Sequence, residues 1–110
     1  MPTKNPQEPF TRVSVREAKE MIDAGDVAFI DVREPGEYAS GHAVGTRLIP
    51  LNSVYGRRDE LPDDRDIVFI CQVGQRSALA CEYAAAAGKT RLFNVEGGTD
   101  SWRGAGLPME

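Results

Sequence analysis

Apolar residues recur along the chain in two rhythms. Val27-Ala28-Phe29-Ile30-Asp31-Val32 and Ile67-Val68-Phe69-Ile70-Cys71 are short, nearly continuous apolar runs, the pattern of strands covered on both faces. Ser14-Val15-Arg16-Glu17 has capping-box spacing, and Ala18, Met21 and Ile22 follow at helical intervals before Gly25, which predicts a helix over Val15–Ala24. Between the two apolar runs, Pro35, Gly36, Gly41, Gly45 and Pro50 cut the chain into loops around a short strand at Arg47–Ile49. Past Cys71 comes the polar stretch Gln72-Val73-Gly74-Gln75-Arg76. Ser77 then opens an alanine-rich helix, Ala78–Ala87, that stops at Gly88. Arg91–Val95 reads as a last strand, followed by Glu96-Gly97-Gly98 and a short helix carrying Trp102. Strands alternating with helices predict an α/β architecture on a mostly parallel sheet.

A length of 110 residues with 41% apolar letters suits one compact core and is too short for two ordinary domains. Residues 1–10 carry three prolines and no apolar periodicity, so they are expected to be a flexible lead-in, with the domain over 11–110. A net charge of -4 argues against nucleic acid or an anionic membrane as partner. The longest apolar runs, Ile67–Cys71 and Tyr83–Ala87, are five residues each, against roughly 20 for a bilayer span. A cytoplasmic location follows by default. Cys71 and Cys81 fit no zinc spacing and, with a single histidine, leave too few ligands for a metal site. Free thiols and no metal are the expectation.

In open α/β sheets, ligands bind beyond the carboxyl ends of the strands, and Cys71 stands at such an end just before a helix. Unpaired N–H groups at a helix start favour the thiolate, the reactive form of cysteine, and Arg76 adds a fixed cation. Cysteine phosphatases wrap phosphate in a Cys-x5-Arg loop, but only four residues separate Cys71 from Arg76. The smaller ring suits a terminal persulfide sulfur or a small thioanion. Cysteine hydrolases need a histidine base, and His42 lies in a distant glycine-flanked loop. The Cys-x-x-Cys of thioredoxin-like redox chemistry is absent.

The segment Cys71-Gln72-Val73-Gly74-Gln75-Arg76-Ser77 resembles the active-site loop of single-domain rhodaneses, Cys-x-x-Gly-x-Arg-Ser. Further marks of that family follow in order: Asp31-Val32-Arg33-Glu34, Glu37-Tyr38, Gly41-His42, Ile49-Pro50-Leu51, Glu96-Gly97-Gly98, Trp102 and Gly106-Leu107-Pro108. The resemblance implies a rhodanese-like fold, a central mostly parallel sheet of about five strands flanked by helices. It also implies a thiosulfate sulfurtransferase-type enzyme without a cofactor. Cys71 would take a sulfane sulfur from thiosulfate or a persulfide donor and pass it to cyanide or a thiol. Gln72, Val73, Gly74, Gln75, Arg76 and Ser77 would hold the small anionic donor, with Asp31 and Arg33 supporting the loops. A protein-to-protein sulfur relay and a non-catalytic binding or regulatory module are the alternatives. Where many relatives carry arginine, this chain has Gln72, which leaves the loop one fixed cation. Trp102 is expected to fill the core, and Cys81, four residues past Ser77, to be packed.

Overall fold

The computed structural model describes residues 2–110. Six strands form one sheet in the order β1 (Thr3–Lys4), β2 (Thr11–Val13), β6 (Leu92–Val95), β5 (Asp66–Ile70), β3 (Val27–Asp31), β4 (Arg47–Leu48). From β2 to β4 every neighbouring pair is parallel, and β1 alone runs antiparallel. The helices are α1 (Val15–Ala24), α2 (Pro35–Ala39), α3 (Gln75–Ala86) and α4 (Gly98–Gly104). The chain thus has the expected α/β architecture.

The near-continuous apolar strands arise because the sheet is covered on both sides. Along β5, Ile67 and Phe69 pack with Ala80, Cys81 and Ala84 of α3, while Val68 and Ile70 pack with Ala18 of α1 and Trp102 of α4. This is the two-residue alternation of a pleated strand with apolar partners on each face. Trp102 is fully buried, tilted against Phe29 at 5.4 Å between ring centroids, and donates its indole N–H to the Pro108 carbonyl at 2.8 Å. That bond removes the cost of burying the N–H and fixes the C-terminal segment over the core. Ser14 and Glu17 close the capping box on α1, Glu17 N to Ser14 Oγ at 3.1 Å and Ser14 N to Glu17 Oε1 at 2.8 Å.

Two elements differ from the sequence reading. α3 begins at Gln75 because Gly74, at φ 106°, turns the chain into the helix directly. The Ser77 hydroxyl is therefore not used to cap the helix. The lead-in contributes β1, Thr3 opposite Arg12 and Lys4 opposite Thr11, which makes the sixth strand. Phe10 joins the core at 3% exposure, and Arg12 pairs with Glu8 and with Glu96. Met1 lies outside the described residues. Three prolines give this stretch no apolar rhythm; backbone pairing and one aromatic anchor attach it to the domain. No helix among the described residues is long and apolar enough to cross a membrane.

Phe10→Ala is expected to lower stability by about 3 kcal/mol, the cost of emptying a buried aromatic site. A urea melt checks this, and an unchanged midpoint would mean that the lead-in does not dock.

Candidate functional site

The sheet's carboxyl edge gathers the ends of β3, β5 and β6. Extension of β5 stops at Ile70, whose carbonyl accepts the Val32 N–H at 3.0 Å. The next carbonyl, of Cys71, is held by α4: it accepts Thr99 N–H at 2.8 Å and the Thr99 hydroxyl at 2.9 Å, while Gln72 O accepts Asp100 N–H at 3.1 Å. These contacts require α4 to start almost in van der Waals overlap with the Cys71–Gln72 peptide. A Cβ on Gly98 would stand 2.5 Å from Cys71 O and 2.6 Å from the Gln72 carbonyl carbon, at φ +57°. Only glycine fits there.

With its carbonyls bound behind, the loop turns back on its own sulfur. Gly74 N–H reaches Cys71 Sγ at 3.1 Å and the Ser77 hydroxyl lies 3.3 Å from it. Cys71 itself is 1% exposed and free of any disulfide. An N–H and a hydroxyl thus lie within hydrogen-bonding distance of one sulfur. Cys81 is equally buried but lies on α3 within the apolar core, where burial pushes its thiol far up. Of the two thiols, only Cys71 has polar donors on its sulfur.

The remaining sequence-predicted residues divide by what they touch. Gly74 and Ser77 meet the sulfur, whereas Val73 and Gln75 face solvent. The Gln72 side chain is held elsewhere: its Oε1 accepts Arg33 Nη1 at 3.2 Å and its amide nitrogen donates to Asp100. Asp31 and Arg33 form a buried pair, Nη2 to Oδ2 at 2.8 Å, and Arg33 also reaches Gly41 O at 2.8 Å. This guanidinium ties the end of β3 to the Gly41 turn and, through Gln72, to the cysteine loop.

Arg76 differs from the simple cation read from the sequence. Its Nη1 and Nη2 donate to Glu37 Oε1 and Oε2 at 2.7 and 2.8 Å, a bidentate pair in which both side chains are about a third exposed. Nearby positive charge at this arginine is largely matched by the carboxylate. The Arg76 guanidinium, followed by the Glu34 N–H, holds the Glu37 carboxyl down at about 2. Glu37 was legible as a motif residue but not as the arginine's partner.

His42 stacks on Tyr38 at 3.7 Å, with Nδ1 2.8 Å from Tyr38 O and Nε2 3.3 Å from Glu110 Oε1, so it orders a loop. Sequence reasoning missed Asn94, which sits 1% exposed in the middle of β6. Its Oδ1 accepts the Ser77 hydroxyl, and its Nδ2 donates to Gly74 O at 3.1 Å and Glu96 Oε2 at 2.9 Å. An amide inside the apolar run Leu92-Phe93-Asn94-Val95 was the available signal, since buried polar groups need partners.

Glu37 ionises more easily in the fold than in the unfolded chain, so its contribution to stability is complete above the ordinary 4.5 and disappears as pH falls towards about 2. Across that window the stability advantage of the parent over Glu37→Gln is expected to shrink in urea melts. An advantage that is constant with pH would mean the pair does not persist in solution.

The family model for the rhodanese-like domain matches residues 14–105. A protein named sulfurtransferase from Allochromatium vinosum is 36% identical over 92 residues, covering 84% of this chain and 86% of its own length. The thiosulfate sulfurtransferase GlpE of Actinobacillus pleuropneumoniae is 32% identical over 104 residues, covering 94% and 95%. Among solved structures, a rhodanese-related protein from Thermoplasma volcanium superposes with a TM-score of 0.81 at 31% identity, over 90% of this chain and 96% of that one. The fold, the motif order and these relatives agree: the chain belongs to the rhodanese-like domain family.

Proposed function

We propose that this chain is a sulfurtransferase in which Cys71 carries the transferred sulfur as a persulfide. The observation that carries the reading is the sulfur's setting: Cys71 Sγ receives Gly74 N–H at 3.1 Å and faces the Ser77 hydroxyl at 3.3 Å. The relatives named sulfurtransferase support the reaction class. In the first half-reaction the Cys71 thiolate attacks the outer sulfur of thiosulfate. The new S–S bond forms as the bond to the sulfite group breaks, and sulfite leaves with the electron pair. In the second, cyanide or a thiolate attacks the outer sulfur, and Cys71 leaves as thiolate with thiocyanate or a new persulfide as product. No net oxidation occurs and no cofactor is needed. The Gly74 N–H serves both halves, because negative charge starts and ends beside it.

Recognition of a small dianion is weaker here than a bare arginine would make it. Arg76 is matched by Glu37, Arg33 by Asp31, and Arg12, which lines a cavity with Val73 and Gly74, by Glu8 and Glu96. A second reading, sulfur exchange with a protein donor or acceptor, is favoured by apolar exposure near the loop. Val73 at the loop is 51% exposed, and Leu79 and Tyr83, one turn apart on α3, are 38% and 37% exposed. Fast turnover with thiosulfate and cyanide would favour the small-molecule reading over the relay.

Mass spectrometry after thiosulfate treatment is expected to find one added sulfur on the peptide containing Cys71. Cys71→Ser should abolish both this adduct and transfer, and Cys81→Ser should keep most activity. No adduct with any donor would favour a binding module instead.

Arg76→Ala is expected to lower kcat/KM for thiosulfate by about tenfold, the worth of one charge-assisted contact. Glu37→Gln, which leaves the guanidinium uncompensated, should move kcat/KM in the opposite direction. Two variants without effect would leave recognition to the backbone and remove Arg76 from it.

A further inference from the structure

Ser77 has one hydroxyl hydrogen and two acceptors within reach, Cys71 Sγ at 3.3 Å and Asn94 Oδ1. The orientation of the Asn94 amide is not a free choice. Its Nδ2 faces the Gly74 carbonyl and the Glu96 carboxylate, which only accept, so the oxygen must be the atom turned to Ser77. Asn94 is buried, is held at three points, and cannot swing away to oblige the hydroxyl.

The two protonation states of Cys71 use this triad differently. As a thiol, Cys71 can donate S–H to Ser77 Oγ while Ser77 donates to Asn94 Oδ1, so every group is paired. When the thiol releases its proton to solvent, the thiolate can only accept. Ser77 must then turn its hydrogen to sulfur, which leaves Asn94 Oδ1 facing the lone pairs of Oγ. We propose that Asn94 is a positioning residue that restrains ionisation of Cys71 by competing with the sulfur for the Ser77 hydrogen. The same competition favours a neutral inner sulfur in the loaded state. That clause rests on the persulfide reading above, whereas the thiol–thiolate argument does not.

Charged groups on the elements around the loop include Arg76 of α3 with Glu37 of α2, the Asp31–Arg33 pair after β3, Glu96 after β6 with Arg12 of β2, and Asp100 of α4. Asn94→Leu alters none of them directly except Glu96, which loses one donor but keeps Arg12. The thiolate is read by its ultraviolet absorbance as pH is raised, a measurement that needs neither a sulfur donor nor reagent access to the buried sulfur. Cys81 does not interfere, since burial pushes its ionisation far up.

Asn94→Leu is expected to lower the Cys71 ionisation midpoint by about half to one pH unit, the equivalent of one neutral hydrogen bond. In a Ser77→Ala background the same substitution should produce no shift, because the shared hydrogen is gone. Should Asn94→Leu fail to fold, Asn94→Ala takes its place, with a downward shift expected in the parent and none in Ser77→Ala. A merely structural Asn94 would let the loop loosen, raise the midpoint, and do so whether or not Ser77 is present. Either that result or a shift of equal size in both backgrounds overturns the proposal. If thiosulfate left no persulfide while the coupling between Asn94 and Ser77 held, the proposed function would fail and the role of Asn94 would stand.

Discussion

The site depends on two successive peptide groups, Cys71–Gln72 and Gln72–Val73, being held from behind by the start of α4. Thr99 and Asp100 occupy the two carbonyls that follow β5, and Gly98 permits the approach. A loop whose carbonyls are bound outward turns its N–H groups inward, and here Gly74 N–H faces Cys71 Sγ. The arrangement links three strand ends. β5 supplies the cysteine, β6 leads through Glu96-Gly97 into α4, and β3 delivers Arg33, whose contact with Gln72 holds the loop's first side chain. A buried Asp31–Arg33 pair is poor evidence for net stability, but removing one member would strand a charge, so the pair restrains geometry strongly.

Much of this was legible in the chain because it depends on local rules. The capping box at Ser14 and Glu17, the two-sided apolar strands and the glycines at 74 and 98 each report a local requirement: a satisfied helix end, a covered strand, a backbone that must turn or approach closely. Tertiary pairing was not legible. Nothing near Arg76 announces Glu37, 39 residues away, and nothing near Ser77 announces Asn94, 17 residues away. The lead-in shows the same limit from the other side, since two residues of antiparallel pairing and Phe10 leave no periodic trace.

Charge pairing sets what the site can ask of a substrate. A sequence reading counts Arg76 as a cation, yet a bidentate carboxylate with matched geometry takes most of its field at short range. Beside that pair stand the backbone dipoles of the loop and of the start of α3, with the Gly74 N–H on the Cys71 sulfur. Such donors act within hydrogen-bond distance of the sulfur and fall off quickly beyond it. They therefore favour charge on the reacting sulfur itself more than charge on the remote oxygens of a donor. That bias fits a proposed chemistry whose constant element is the Cys71 sulfur rather than any one partner.

The two cysteines differ in what surrounds the sulfur. Both are effectively buried, at 1% and 0% exposure, Cys71 just before α3 and Cys81 within it. Around Cys81 burial has no polar compensation, so ionisation is strongly opposed. Around Cys71 the same exclusion of water is accompanied by an N–H and a hydroxyl within reach of the sulfur, and hydrogen bonds made in a dry setting are the stronger for it. Burial alone does not distinguish a reactive thiol from an inert one. Polar donors around the sulfur do, and beside Cys71 these are the Gly74 N–H, set by a glycine turn, and the hydroxyl of a serine whose single hydrogen a buried asparagine also claims.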